Sequence, residues 1–247
     1  DGALLGIITM RDLRYEKNLH DKVSKLMTQK VDLKVVEAGT SPNEARELLH
    51  KYKIEKLPVV DKKFRLQGLI TMKDIQKSKE FPNASKDKQG RLLAAAAIGV
   101  GLDMEDRVEN LIKSGLDILF IDTAHAHSKK VINALKLIKK KHKSIQVVVG
   151  NVATTDGAKE LIKAGADSLK VGIGPGSICT TRIIAGIGVP QLTAIMDVCT
   201  TANKNNIPVI ADGGIKYSGG ITKALAAGAS CVMIGNLLAG TDEAPGE

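Results

Sequence analysis

Eleven consecutive residues hold most of the chemistry open to this chain: Gly172-Ile173-Gly174-Pro175-Gly176-Ser177-Ile178-Cys179-Thr180-Thr181-Arg182. Three glycines and a proline within five residues force a tight turn, nearly free of side chains, whose N–H and C=O groups can approach an ion or a phosphate. The turn lacks the Gly-Lys-Ser/Thr of a P-loop. Ser177 stands where a dinucleotide fingerprint has its third glycine, and no helix is expected directly after it. A free cysteine is commonly a small buried hydrophobe. Cys179, however, lies beside Ser177, Thr181 and Arg182, where a cation and backbone donors stabilise a thiolate, so it is a candidate nucleophile. Cys199 and Cys231 fall in an amphipathic helix and an apolar strand and read as core residues.

Other polar residues gather just past apolar runs: Asp122, Asn151, Asp212-Gly213-Gly214 and Gly235-Asn236. The run Asp122-x-x-His125-x-His127 offers part of a metal site. A structural or catalytic zinc wants about four ligands, and His20, His50 and His142 fall in unrelated stretches. That reading is therefore set aside.

The elements that must position these residues follow from periodicity. Strands are expected at 94–100, 116–122, 145–149, 167–171, 207–211 and 230–235, alternating with helices at 103–114, 128–141, 155–164, 191–204 and 217–227. Ser114-Gly115-Leu116-Asp117, Ala164-Gly165-Ala166-Asp167 and Ala227-Gly228-Ala229-Ser230 each place glycine at a helix end. Alternating strands and helices, with runs apolar on both faces, imply α/β architecture and a parallel sheet. Polar residues at the C-termini of many strands, rather than at one switch point, favour a (β/α)8 TIM barrel over a doubly wound sheet. Six strands are legible, so the barrel is incomplete by two.

Residues 1–77 differ. Gly6-Ile7-Ile8-Thr9-Met10-Arg11-Asp12 recurs as Gly68-Leu69-Ile70-Thr71-Met72-Lys73-Asp74, the mark of two copies of one unit, the first truncated. Thr40 or Ser41 caps a helix with apolar Ala45, Leu48, Leu49 and Tyr52, followed by strands at 56–61 and 66–71. The two Thr-x-x-Asp pairs read first as helix caps. Residues 78–92 are polar and aperiodic, a linker to a domain at 93–247.

Composition narrows the class. With 247 residues, 43% hydrophobic and 26% charged, a sizeable core is expected and wholesale disorder is excluded. A formal charge of +9 invites nucleic acid, but the lysines are dispersed, their densest run (Lys136 and 139–143) ends one helix, and stacking aromatics are few, so no nucleic-acid partner is expected. Three scattered cysteines suit a reduced, cytoplasmic setting. No apolar run reaches the ~18 residues of a membrane span, and the first twenty residues carry charges throughout.

The repeated unit resembles the CBS repeat, which works in pairs (Bateman modules) that commonly bind adenine or guanine nucleotides. The loop through Arg182-Ile183-Ile184-Ala185-Gly186-Ile187-Gly188-Val189-Pro190-Gln191 closely resembles the catalytic loop of the inosine 5′-monophosphate (IMP) dehydrogenase family, whose layout is a barrel with an inserted Bateman module. Asp122–Ser128, Gly150-Asn151, Ala211–Gly214 and the terminal 240–247 match that family in order. The resemblance implies oxidation of IMP to xanthosine monophosphate with NAD, through a thioimidate on Cys179, with Thr181 assisting proton transfer. By the same resemblance Ser177, Asp212, Gly213, Gly214, Gly235 and Asn236 bind the nucleotide, Asp212 through its ribose. Asp122, Asn151, Gly172, Ile173 and Gly174 adjoin NAD, while the carbonyls of Gly174, Gly176 and Cys179 hold a potassium ion. A homotetramer is implied, pairing into octamers through the modules. Ala126 and Asn236 depart from the family's usual small residues at those positions. The chain reads as a fragment beginning after two barrel strands and ending before the family's mobile flap. Guanosine monophosphate (GMP) reductase shares the cysteine loop, but its usual basic pair after the arginine is Ile183-Ile184 here, and this and the module argue against it. A nucleotide-sensing CBS protein without catalysis would not need Cys179.

Overall fold

The computed structural model describes residues 2–18, 20–88 and 90–246 and divides after Ser85 into two compact units. The first unit contains β1 (Gly6–Ile7), α1 (Met10–Leu13), α2 (Val23–Leu26), β2 (Thr28–Gln29), β3 (Val36–Glu37), α3 (Pro42–Tyr52), β4 (Lys56–Val60), β5 (Leu66–Thr71) and α4 (Met72–Glu80). β4 runs parallel to β3 and antiparallel to β5, and β1 pairs antiparallel with β2. Val36, Ala45, Leu49, Leu57 and Ile75 form the small core.

Ser41 caps α3, its hydroxyl accepting from Glu44 N at 3.2 Å while Glu44 Oε2 accepts from Ser41 N at 3.0 Å. The repeated Thr-x-x-Asp pairs do the same work twice. Thr9 N and Oγ1 donate to Asp12 Oδ2 at 2.7 and 2.8 Å, and Thr71 N and Oγ1 to Asp74 Oδ2 at 3.0 and 2.7 Å. The expected 78–92 linker is partly structured: α4 continues to Glu80, and Lys86 bridges Leu92 across a turn closed by Asp87 and Arg91.

The second unit contains β6 (Ala95–Ile98), α5 (Met104–Lys113), β7 (Ile118–Asp122), α6 (Lys129–Lys141), β8 (Gln146–Val152), α7 (Thr155–Lys163), β9 (Ser168–Val171), α8 (Thr181–Ile184), α9 (Gln191–Ala202) with a 3-10 turn (Asn203–Asn205), β10 (Val209–Asp212), α10 (Ser218–Ala226) and β11 (Cys231–Met233). Its six strands are all parallel, in sequence order from β6 to β11, and curl into a half-barrel. Leu119, Ile121, Val147, Val149, Leu169, Val171, Val209 and Ala211, alternating along four strands, are wholly buried on the helix-covered face. On the other face, Ala95, Ala97, Asp122, Cys231 and Met233 are exposed toward the sheet's edges. Among the described residues no helix is long and apolar enough to cross a membrane.

Two expectations need correction. Cys231, read as a core residue, is exposed, because β11 is an edge strand with no neighbour on its far side among the described residues. One helical turn does follow the cysteine loop, closed by Ile184 N to Thr180 O at 2.8 Å and Ala185 N to Thr181 O at 2.9 Å.

The three glycine junctions share one construction. Gly115, Gly165 and Gly228 follow the helix end with φ of 86°, 105° and 108°, which only glycine adopts cheaply. Two residues on, a side-chain oxygen accepts a strand's opening N–H: Asp117 from Ala94 at 2.8 Å, Asp167 from Val147 at 2.8 Å, Ser230 from Val209 at 3.2 Å. Asp167 also pairs with Lys139 Nζ at 2.8 Å. Asp167→Ala therefore orphans a strand N–H and leaves the Lys139 ammonium with the Ile145 carbonyl at 3.1 Å but without its anionic partner, and is expected to lower stability by about 2 kcal/mol, read from the urea unfolding midpoint.

Candidate active site

Parallel strands deliver their C-termini to one end of the sheet, and the register aligns Asp122 with Gly150, Gly150 with Lys170, and Lys170 with Ile210. Two residues past Ile210, Asp212 ends β10. Lys170 Nζ lies 3.1 Å from Asp122 Oδ1 and hydrogen-bonds Asp212 Oδ2, its side chain only 3% accessible. Asn151 Nδ2 donates to the same Asp212 oxygen at 2.9 Å and to Gly172 O at 2.8 Å. Gln191, the first residue of α9, donates from Nε2 to Val171 O and Asp212 O, both at 3.0 Å, extending the β9–β10 ladder beyond its last backbone pair. Asn151 Oδ1 and Gln191 Oε1 are buried without a protein partner. Gly172 has no room for a side chain: a Cβ would sit 2.2 Å from Asp212 O.

The cysteine loop rests on this frame. A Cβ on Gly213 would come within 3.1 Å of Gly176 N, and one on Gly214 within 3.2 Å of Pro175, so the glycine pair after Asp212 packs directly under the turn. Cys179 N donates to Gly176 O at 3.1 Å, and Arg182 folds back over Gly174 and Gly188 to reach Val189 O at 2.7 Å. Cys179 Sγ is half-buried, 3.3 Å from Thr181 Oγ1. Hydrogen bonding from the Thr181 hydroxyl and backbone, with the Arg182 charge behind it, holds this thiol below the ordinary cysteine range. Burial pushes the Cys199 thiol up, and the apolar surroundings of Cys231 push it the same way despite its exposed position.

The structure brings Cys179, Thr181, Gly172, Ile173, Gly174, Gly176, Asp212, Gly213, Gly214, Asn151 and Asp122 into this connected frame. Ser177 is exposed on the turn. Gly235 and Asn236 follow β11, whose Met233 is in register with Asp212, but they are exposed, and their carbonyls accept from Leu238 N and Ala239 N. The carbonyls of Gly174, Gly176 and Cys179 lie within six residues, and Gly176 O already accepts the Cys179 N–H. The His125 and His127 rings stand 6.2 Å apart, His127 faces Glu160 at 3.4 Å, and Asp122 turns to Lys170. Among the described residues no three His, Cys, Asp or Glu side chains converge as metal ligands.

Sequence reasoning missed Lys170 and Gln191. The first had a signal, a lone charge inside the apolar strand Ser168-Leu169-Lys170-Val171. Gln191 had none beyond its place after Pro190, because its role depends on which carbonyls β9 and β10 leave unpaired.

Comparison with known proteins gives the family. Residues 57–247 match the IMP dehydrogenase / GMP reductase domain, and residues 23–79 the CBS domain. Inosine-5′-monophosphate dehydrogenases of Aquifex aeolicus and Halalkalibacterium halodurans are 57% and 54% identical over 99% and 100% of this chain. The chain spans about half the length of these relatives, 50% and 51%. A crystal structure of GMP reductase C318A from Trypanosoma brucei in complex with guanosine 5′-monophosphate superimposes with a TM-score of 0.89 at 42% identity, covering 100% of this chain and 52% of that one. Because that reductase aligns over the whole chain, module included, the module does not separate the two activities as the sequence reading held. A matched cysteine-loop domain over most of the chain, with a CBS segment ahead of it, places the protein in the IMP dehydrogenase/GMP reductase family.

Proposed function

We propose that the parent protein is an NAD-dependent IMP dehydrogenase of guanine nucleotide synthesis. The observation that carries this is the Cys179 thiol, depressed by Thr181 and Arg182 and mounted on a turn that packs against Asp212-Gly213-Gly214. The thiolate adds to C2 of the purine, the resulting tetrahedral carbon gives up its hydrogen with the electron pair, and water then displaces the thiolate from the thioimidate to yield xanthosine monophosphate. NAD, when bound, supplies the hydride acceptor. Asp212 accepts from the ribose hydroxyls through its unengaged Oδ1. Ser177, Gly213, Gly214, Gly235 and Asn236 donate to the phosphate. Asp122, whose side chain is 46% accessible with only Oδ1 engaged, suits the NAD ribose, with Asn151 and Gly172 to Gly174 beside the nicotinamide. Thr181 relays the proton at Sγ.

The Gly174, Gly176 and Cys179 carbonyls suit a potassium ion, since Gly176 O retains a lone pair after accepting from Cys179 N. Three carbonyls replace only part of a hydration shell, so water or another chain completes it. In the whole protein, two further strands close the open β6 and β11 edges into a (β/α)8 barrel, and the CBS segment forms its regulatory insertion. A cleft of about 270 Å³ lined by Thr9, Arg11, Asp12, Asp32 and Lys34 suits an adenine or guanine nucleotide. We assign a homotetramer in the cytoplasm.

The second reading, GMP reductase, is favoured by the solved neighbours. It is opposed by Ile183-Ile184 and by the names of the more identical relatives. Full-length protein given IMP and NAD is expected to produce NADH. Reaction only with GMP and NADPH would transfer the assignment to the reductase, and nucleotide binding without turnover would make it a sensor.

The lowered thiol also sets a pH dependence. A depressed pKa keeps the thiolate populated to lower pH, so iodoacetamide at neutral pH is expected to label Cys179 before Cys199 and Cys231. Thr181→Val removes the main stabilising donor and is expected to move the alkylation midpoint to higher pH. Peptide mass spectrometry across a pH series checks both.

A further inference from the structure

The two carboxylates given to different ligands share one cation. Lys170 leaves β9 on the face away from the helices, is 3% accessible, and contacts Asp122 and Asp212 together. It reaches Asp122 by crossing β8 at Gly150, where a Cβ would stand 2.6 Å from Lys170 Cβ and 2.7 Å from its carbonyl. The missing side chain at 150 therefore lets β8 approach the backbone and Cβ of residue 170 closely at the point where the lysine leaves its strand. The cluster holds one ammonium against two carboxylates, and a buried ammonium is tolerated only while it is paired. Asp212 Oδ2 is held by Lys170 and Asn151, leaving Oδ1 as its available acceptor.

We propose that Lys170 is a positioning residue that couples the nucleotide and dinucleotide sites by sharing its charge between Asp122 and Asp212. This rests on the assignment of those carboxylates made above. Donors that engage Asp122 loosen its hold on the ammonium, which shifts toward Asp212 and changes its strength and orientation as an acceptor. By linkage the reverse holds equally. Lys170 touches neither reacting atom.

The test is a double-mutant cycle on IMP affinity, measured by isothermal titration of the full-length protein without NAD. Asp122→Asn alters a carboxylate assigned to the other ligand. It is expected to weaken IMP binding roughly three- to tenfold in the wild-type background and by less than about 1.5-fold when Lys170 is replaced by Met. Lys170→Arg, which keeps a cation, is expected to restore the effect. A purely structural lysine would lower affinity by itself but leave the Asp122→Asn effect equal in both backgrounds. That equality, or no effect in either, overturns the coupling while leaving the dehydrogenase assignment standing. Wild-type protein that neither binds IMP nor forms NADH overturns both. If Lys170→Met does not fold, Lys170→Gln takes its place, and persistence of the Asp122→Asn effect there overturns the proposal.

Discussion

Cys179→Ala in the full-length protein is expected to abolish NADH formation from IMP, by about 10³-fold or more, because no neighbouring group can replace a lost nucleophile. Thr181 is a hydroxyl held toward the sulfur, and Arg182 is folded onto Val189 O, so neither can form the adduct. The substitution removes one small, half-buried side chain whose backbone N–H stays bonded to Gly176 O, so the turn and its packing on Gly213 survive. IMP affinity should accordingly change little. Titration of the variant separates lost chemistry from lost binding, and turnover within tenfold of wild type would end the catalytic role of this sulfur.

Asp212→Asn is expected to lower kcat/KM for IMP by about 10²-fold, largely through KM. In the proposed site the carboxylate accepts from the ribose diol, and hydrogen bonds from hydroxyls to a carboxylate are charge-assisted. An amide keeps the shape but offers one acceptor oxygen, and it leaves Lys170 with Asp122 as its sole anionic partner. Stabilities of variant and wild type are compared by thermal unfolding. A KM for IMP unchanged within twofold, in a folded variant, would remove Asp212 from the nucleotide site.

Much of the candidate site is legible in the sequence. The compressed Gly172–Gly176 turn announces itself because glycine and proline act through local backbone geometry. Asp122 and Asp212 were found because each closes an apolar run, and parallel strands carry such residues to a common end. Element boundaries drifted by one to three residues, as for β8, expected to stop at 149 and continuing to Val152. Cys231 was misplaced because its neighbours in sequence are apolar, whereas its exposure depends on whether another strand lies beside β11.

The alternation of strands and helices, the three glycine junctions, the twin Thr-x-x-Asp caps and the local setting of Cys179 follow from the amino-acid sequence alone, since all depend on residues within a few positions of one another. Long-range packing alone sets Lys170 across β8 between two carboxylates, ties β9 to β10 through Gln191, and brings residue 170 so close to Gly150 that no side chain fits there. Those contacts link residues 20 to 48 positions apart through register and strand order, and neither is written in any short stretch of chain.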